Sequence, residues 1–209
     1  MPDVAELQTI ETDFAQILQS YSQILGGIPV APADRPDPAI EANILAEGVF
    51  LRCFTSWENS VEKAFLYFCE GGTSLNGVQP TCRLAHCTTT EVRSILMSNG
   101  MRYLDWSSPG SIRTRANLYF HQGIPFEVSI GGKSAILSDI QKLRNRIAHD
   151  SVETANGYRE VQRNNFNTER NFDLQPGQLL RIVARKTNKS WGEFYFDELL
   201  SAFNSIVRP

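Results

Sequence analysis

The sequence predicts a mainly α-helical protein, carrying an irregular insertion and one small C-terminal β-hairpin. Three patterns support this. Apolar residues recur in steps of 3 and 4 through residues 39–69 and again through residues 133–149, the period of a helix with one face in a core. A third such pattern fills residues 3–25 and stops at Gly26-Gly27. At 209 residues and 42% apolar composition the chain is long enough for one good core, read as a single domain over 1–209.

Taken in order, Val4, Leu7, Phe14, Ile17 or Leu18, Tyr21 and Ile24 make the first helix amphipathic. Ile28 to Pro38 holds four prolines and reads as an extended link, so residues 1–38 are a helix and its tether. The helical core occupies 39–207. Its long helix from Ala39 to Cys69 has the stripe Ile40, Ile44, Glu47, Leu51, Phe54, Glu58, Val61, Phe65 and Phe68. Two carboxylates on an apolar stripe are costly unless they meet a cation or hydrogen-bond donors, and Arg144 is the candidate partner for one of them. Residues 70–132 read as the insertion. Gly71-Gly72 and Asn76-Gly77 interrupt it, Thr88-x-x-Glu91 is a capping box opening a short helix through about Met97, and Asn99-Gly100 ends that helix. Ser107 to Gly110 reads as a turn before a short helix over 111–121. A helix follows from Lys133 to His149, and a second helical piece over 151–165. Residues 178–185 and 191–196, with Thr187 to Ser190 between them, suggest the β-hairpin. A last helix begins near Asp197 as N-cap.

Composition narrows the function. No run approaches the roughly 20 apolar residues of a membrane span. The N-terminus lacks a basic and then apolar leader, which predicts a cytoplasmic chain with no membrane partner. A net charge of −3 argues against a protein that coats nucleic acid indiscriminately. The charge is uneven, however: residues 141–189 carry ten Lys or Arg against five Asp or Glu. Cys82, His86 and Cys87, with Cys69 as a conceivable fourth ligand, fit no common zinc spacing, and no metal or cofactor is expected.

The candidate site lies in Lys142-Leu143-Arg144-Asn145-Arg146-Ile147-Ala148-His149-Asp150. Ile136, Ile140, Leu143 and Ile147 form its apolar stripe, while Ser138, Lys142, Asn145 and His149 fall on a polar one. Asn145 and His149 are i,i+4 neighbours, so the amide is placed to orient the imidazole. A histidine that exchanges protons near neutral pH, beside a guanidinium shaped for phosphate, suits phosphodiester cleavage. The competing explanation is a helix stop, since Arg and His near a helix C-terminus favour the macrodipole.

Arg144-Asn145-x-x-x-His149 resembles the R-x4–6-H signature of the HEPN superfamily, in the form with a polar residue after the arginine. The resemblance extends over roughly residues 40–207. It implies a small HEPN-like helical bundle and a metal-independent ribonuclease acting at a homodimer interface, with 2′,3′-cyclic phosphate and 5′-hydroxyl products. Such proteins often serve as toxins or as effectors of prokaryotic antiviral defence. On this resemblance Arg144 binds phosphate, His149 transfers protons, Asn145 orients His149 and Glu58 positions Arg144. Lys142 and Arg146 hold RNA, and an antitoxin or other regulatory protein is a further partner. A rival expectation is a non-catalytic HEPN-like module that dimerises or binds RNA or a partner. A second rival, a nucleotide-binding protein, is weakened because Gly131-Gly132-Lys133-Ser134 lacks the earlier glycine of a phosphate loop.

Overall fold

Asp3 accepts the Ala5 N–H at 3.0 Å and so caps helix α1, Val4–Gly26. The computed structural model describes residues 2–84, 87–97, 104–166, 174–184 and 187–209. Helix α2 runs Ile40–Cys69, α3 Thr89–Leu96, α4 Pro109–Tyr119, α5 Phe126–Gly131, α6 Ser134–Ala148, α7 Val152–Phe166, α8 Pro176–Arg181 and α9 Trp191–Val207. The chain is mainly helical, as the periodicity predicts. The capping box at α3 forms as its sequence says, with Thr88 and Glu91 bonding reciprocally. Asn99-Gly100, expected to end that helix, lies outside the described residues.

The chain packs as two compact units, and α1, α2, α6 and α9 each contribute one segment to both. The first comprises residues 1–16, 56–137 and 199–209. Its interior is aromatic. The Phe65 ring centroid lies 5.0 Å from those of Trp106 and Phe120 and 5.2 Å from that of Phe126. Phe14 meets Phe203 edge-on at 5.1 Å. Burying one such ring is worth about 1.5–3 kcal/mol, with a further contribution from ring–ring geometry. The segment read as an irregular insertion therefore supplies three helices and much of this cluster. Ser108, expected within a turn, is the N-cap of α4, because Pro109 fits the first helical position. Between α4 and α5, Gly123 has φ +68°, and a Cβ there would fall 2.7 Å from Asn117 Oδ1.

The second unit comprises residues 17–55 and 138–198. Phe50 stacks on Phe196 and meets Tyr195 edge-on. Around these rings the interior is polar as well as apolar. Arg181, only 3% exposed, donates to both Asp37 (2.7 Å) and Asn43 (2.8 Å) and twice to the Pro29 carbonyl (2.8 and 2.7 Å). Gln178 donates to the carbonyls of Pro32 and Arg35 and accepts from Asp37 N–H. The proline-rich link is thus held by α8, which satisfies backbone groups that the link cannot pair internally.

Two expectations fail in this unit. The β-hairpin expected over residues 178–196 is not seen: among the described residues there is no strand, and this segment has an isolated antiparallel bridge between Val183 and Ser190. Pro176 opens α8 instead, and the helix lets the Gly177 backbone pack against that of Asn43 while Arg181 reaches the link. Nor does the last helix start at Asp197. Ser190 and Glu193 form a reciprocal cap, with Glu193 accepting Ser190 N–H at 2.8 Å and Ser190 accepting Glu193 N–H at 3.2 Å, so α9 begins at Trp191. The stripe expected at the start of α2 also faces outward. Ile40 and Ile44 are 68% and 62% exposed, and Ala46, Val49, Phe50, Cys53 and Phe54 are the buried positions.

Candidate functional site

Leu137, Ile140 and Leu143 bury one face of α6, and Ile136 and Ile147 flank it half-buried. Helix α7 turns back along α6 as an αα-hairpin. Lys142 Nζ meets Glu160 Oε2 at 2.6 Å, and Asn164 Nδ2 donates to both Asp139 oxygens at 3.0 Å. The helices come close at Gly157, where a Cβ would sit in ordinary contact, 3.5 Å from Lys142 Cγ. The tight turn between the helices contains His149. Its N–H donates to the Asn145 carbonyl at 2.9 Å, and its own carbonyl accepts from Thr154 Oγ1 at 2.8 Å. The backbone of His149 is held on both sides while its side chain stands exposed.

Arg144 and Asn145 are both half-buried, one turn before His149. The Arg144 guanidinium donates to Asn145 Oδ1 at 3.3 Å. The Asn145 amide oxygen is turned to the arginine, and the backbone of Asn145 meets that of His149. Adjacent residues on a helix diverge by about 100°, and the long guanidinium side chain spans that angle. Lys142 and Arg146 are each engaged by a carboxylate, Glu160 and Asp150 respectively, the latter at 2.6 Å. The lysine beside it holds Glu160 below the usual carboxylate range. Arg181, counted within the basic stretch, is buried in its own network and adds nothing to the exposed charge.

The two stripe carboxylates have different surroundings. Glu47, half-buried in the second unit, accepts the Gly177 N–H at 2.9 Å. Burial pushes its carboxyl up, against the opposing pull of that hydrogen bond and of the Arg146 charge. The partner of Glu47, which the sequence leaves open, is thus the Gly177 N–H, with the Arg146 charge in addition. Glu58 is half-buried on the part of α2 that belongs to the first unit, whereas Arg144, Asn145, Arg146 and His149 belong to the second.

Asp139 is the residue the sequence reading missed. It is buried beside Lys142, and desolvation raises its carboxyl despite the two bonds from Asn164. Its signal was present: Asp139, Lys142, Arg146 and His149 follow steps of 3, 4 and 3 along one helical face. His86 lies outside the described residues, and His121 is exposed in the turn His121–Gly123. Among the described residues no group of three His, Cys, Asp or Glu side chains could hold a metal ion. Among them, too, no helix is long and apolar enough to cross a membrane.

Compared with known proteins, the chain matches no family model, no curated protein and no solved structure.

Proposed function

We propose that the chain is a metal-independent endoribonuclease of HEPN type, cleaving RNA by attack of the 2′-hydroxyl on the adjacent phosphate. The observation that supports this most is the placement of His149: an exposed imidazole on a backbone pinned by Asn145 and Thr154, one helical turn beyond a half-buried arginine. Arginine offers paired donors to the nonbridging phosphate oxygens and to the charge that builds on them. An imidazole, with an ordinary pKa of about 6.5, either takes the 2′-hydroxyl proton or protonates the departing 5′-oxygen. One His149 performs one of these roles at a time, so the reading includes a homodimer whose cleft contains two. The HEPN resemblance, rather than the geometry, is what assigns Glu58 to positioning Arg144. On the same resemblance the activity belongs to a cytoplasmic toxin or prokaryotic defence effector restrained by a partner protein.

A second reading, a non-catalytic module that dimerises or binds RNA or a partner, draws on three contacts. Asn145 engages Arg144, and Lys142 and Arg146 are both tied to carboxylates. Incubating total RNA with the purified dimer in excess EDTA separates the two. Cleavage by wild type but not by His149→Ala or Arg144→Ala supports the nuclease. RNA retention without cleavage, equal in wild type and His149→Ala, supports the binding module.

A further inference from the structure

Over residues 40–55, all of them in the second unit, helix α2 is covered along one side and bare along the other. Ala46, Val49, Phe50, Cys53 and Phe54 are buried, and the Gly177 backbone lies against Asn43. The opposite face presents Ile40, Glu41, Ile44, Leu45, Gly48 and Arg52 to solvent, with Leu51 half-buried near one edge. At about 100° per residue these positions fill one continuous sector, and Gly48 lies near its middle. Glycine inside an exposed helix is destabilising, because it gives up more backbone freedom than any other residue. Packing among the described residues does not call for it: a Cβ at Gly48 would meet no atom of theirs within 4 Å. A bare Cα flanked by Ile44 and Leu45 is what a second helix needs in order to approach closely.

The charges at the two ends of the face point to what that helix is. Glu41 stands at one end and Arg52 at the other. A parallel second copy would set Glu41 against Glu41 and Arg52 against Arg52. An antiparallel copy crossing at Gly48 places Leu45 opposite the partner's Leu51, and Ile44 against the stem of the partner's Arg52. On one side of the crossing Glu41 then lies about 10 Å out and the partner's Arg52 about 6 Å, at a rise of about 1.5 Å per residue. The guanidinium spans the difference, and the two-fold repeats the pair. We propose that this face of α2 is the contact between two copies of the chain, packed antiparallel across Gly48 with reciprocal Glu41–Arg52 ion pairs. The contact gives the homodimer of the proposed function its surface, and its use in RNA cleavage rests on that reading.

Sedimentation velocity of the full chain, without RNA and over a wide range of concentration, should show a monomer passing to a dimer. Ile44→Asp, at an exposed position that folding tolerates, should weaken the dimer about a hundred-fold. Glu41→Arg and Arg52→Glu should each weaken it about ten-fold, and the two together should restore it. Gly48→Leu should raise the melting temperature of the dilute monomer while weakening the dimer, opposite signs that a glycine serving only the monomer would not give. A chain that stays monomeric at the highest concentration would overturn the pairing and leave the face to a different protein. So would a dimer indifferent to Ile44→Asp, or charge swaps whose effects add instead of cancelling. Cleavage of total RNA is read separately. Cleavage without a dimer sinks the pairing alone, whereas a dimer that Ile44→Asp breaks but that cleaves nothing supports the pairing and sinks the nuclease.

Discussion

Around Phe65 the first unit fills its interior with rings, from Trp106, Phe120 and Phe126, that make many weak and adjustable contacts. Around Arg181 the second unit instead buries a cation among Asp37, Asn43 and the Pro29 carbonyl, every one of them a directed bond. Ring packing degrades gradually when one member shrinks, because neighbours relax part of the way into the gap. A buried polar network behaves differently: removing one member leaves its partners desolvated and unbonded. The two regions should therefore respond differently to comparably mild substitutions.

The largest effect is expected for Arg181→Ala, which strands the Asp37 carboxylate and Asn43. Chemical denaturation should show a loss of about 3–5 kcal/mol, and limited proteolysis should open the link at residues 28–38. Arg181→Lys should recover only part of this, since one ammonium cannot replace the forked donors. A loss as small as that of a surface change would erase the contrast. Gly177→Ala comes next, at about 1–3 kcal/mol, because the added Cβ would lie 2.2 Å from the Asn43 carbonyl oxygen. Phe65→Leu should cost about 1–2 kcal/mol in the same assay, with the fold retained. If it instead abolishes folding, the aromatic cluster is as unforgiving as the polar one.

The smallest effect concerns pH. Burial raises the Glu47 carboxyl in the folded chain, so its contribution to stability is present below the ordinary carboxylate range and lost as pH rises through the elevated folded value. Glu47→Gln keeps an acceptor for Gly177 N–H and removes the charge. Thermal unfolding at mildly acidic and at neutral pH should show wild type losing stability over that interval and the variant losing less. Equal slopes would mean that Glu47 is solvated well enough to escape its surroundings.

Helices stabilised by their own sequence were legible in it. The periods through residues 3–25, 39–69, 133–149 and 151–165 and the Thr88–Glu91 box all led to helices close to their observed bounds. What the sequence concealed depends on partners far along the chain. Helix α8 has only six residues, and the Leu179 to Val183 run carries enough β-branched character to suggest a strand. Its helical form is favoured by the Gly177 amide bonding to Glu47 and by Arg181 reaching the link, 130 and 144 positions away. The motif helix was readable from its stripe, as was the exposure of His149. The direction of the Asn145 amide was not, because i,i+4 proximity to His149 and i,i+1 reach to Arg144 compete, and only the side-chain geometry decides between them.

Arg181 closes on Pro29 and Asn43 across 152 and 138 positions of sequence. During synthesis the residue that clamps the proline-rich tether emerges 138 to 152 positions after the groups it holds. At typical elongation rates of 5–20 residues per second, the tether waits on the order of ten seconds without its clamp. Throughout that interval its carbonyls are satisfied by water, and α1 is joined to the growing chain by an unfastened strap. Slow translation therefore lengthens the time in which proteases and chaperones can reach this segment, whereas a nick there after Arg181 has docked must first break a buried ion pair.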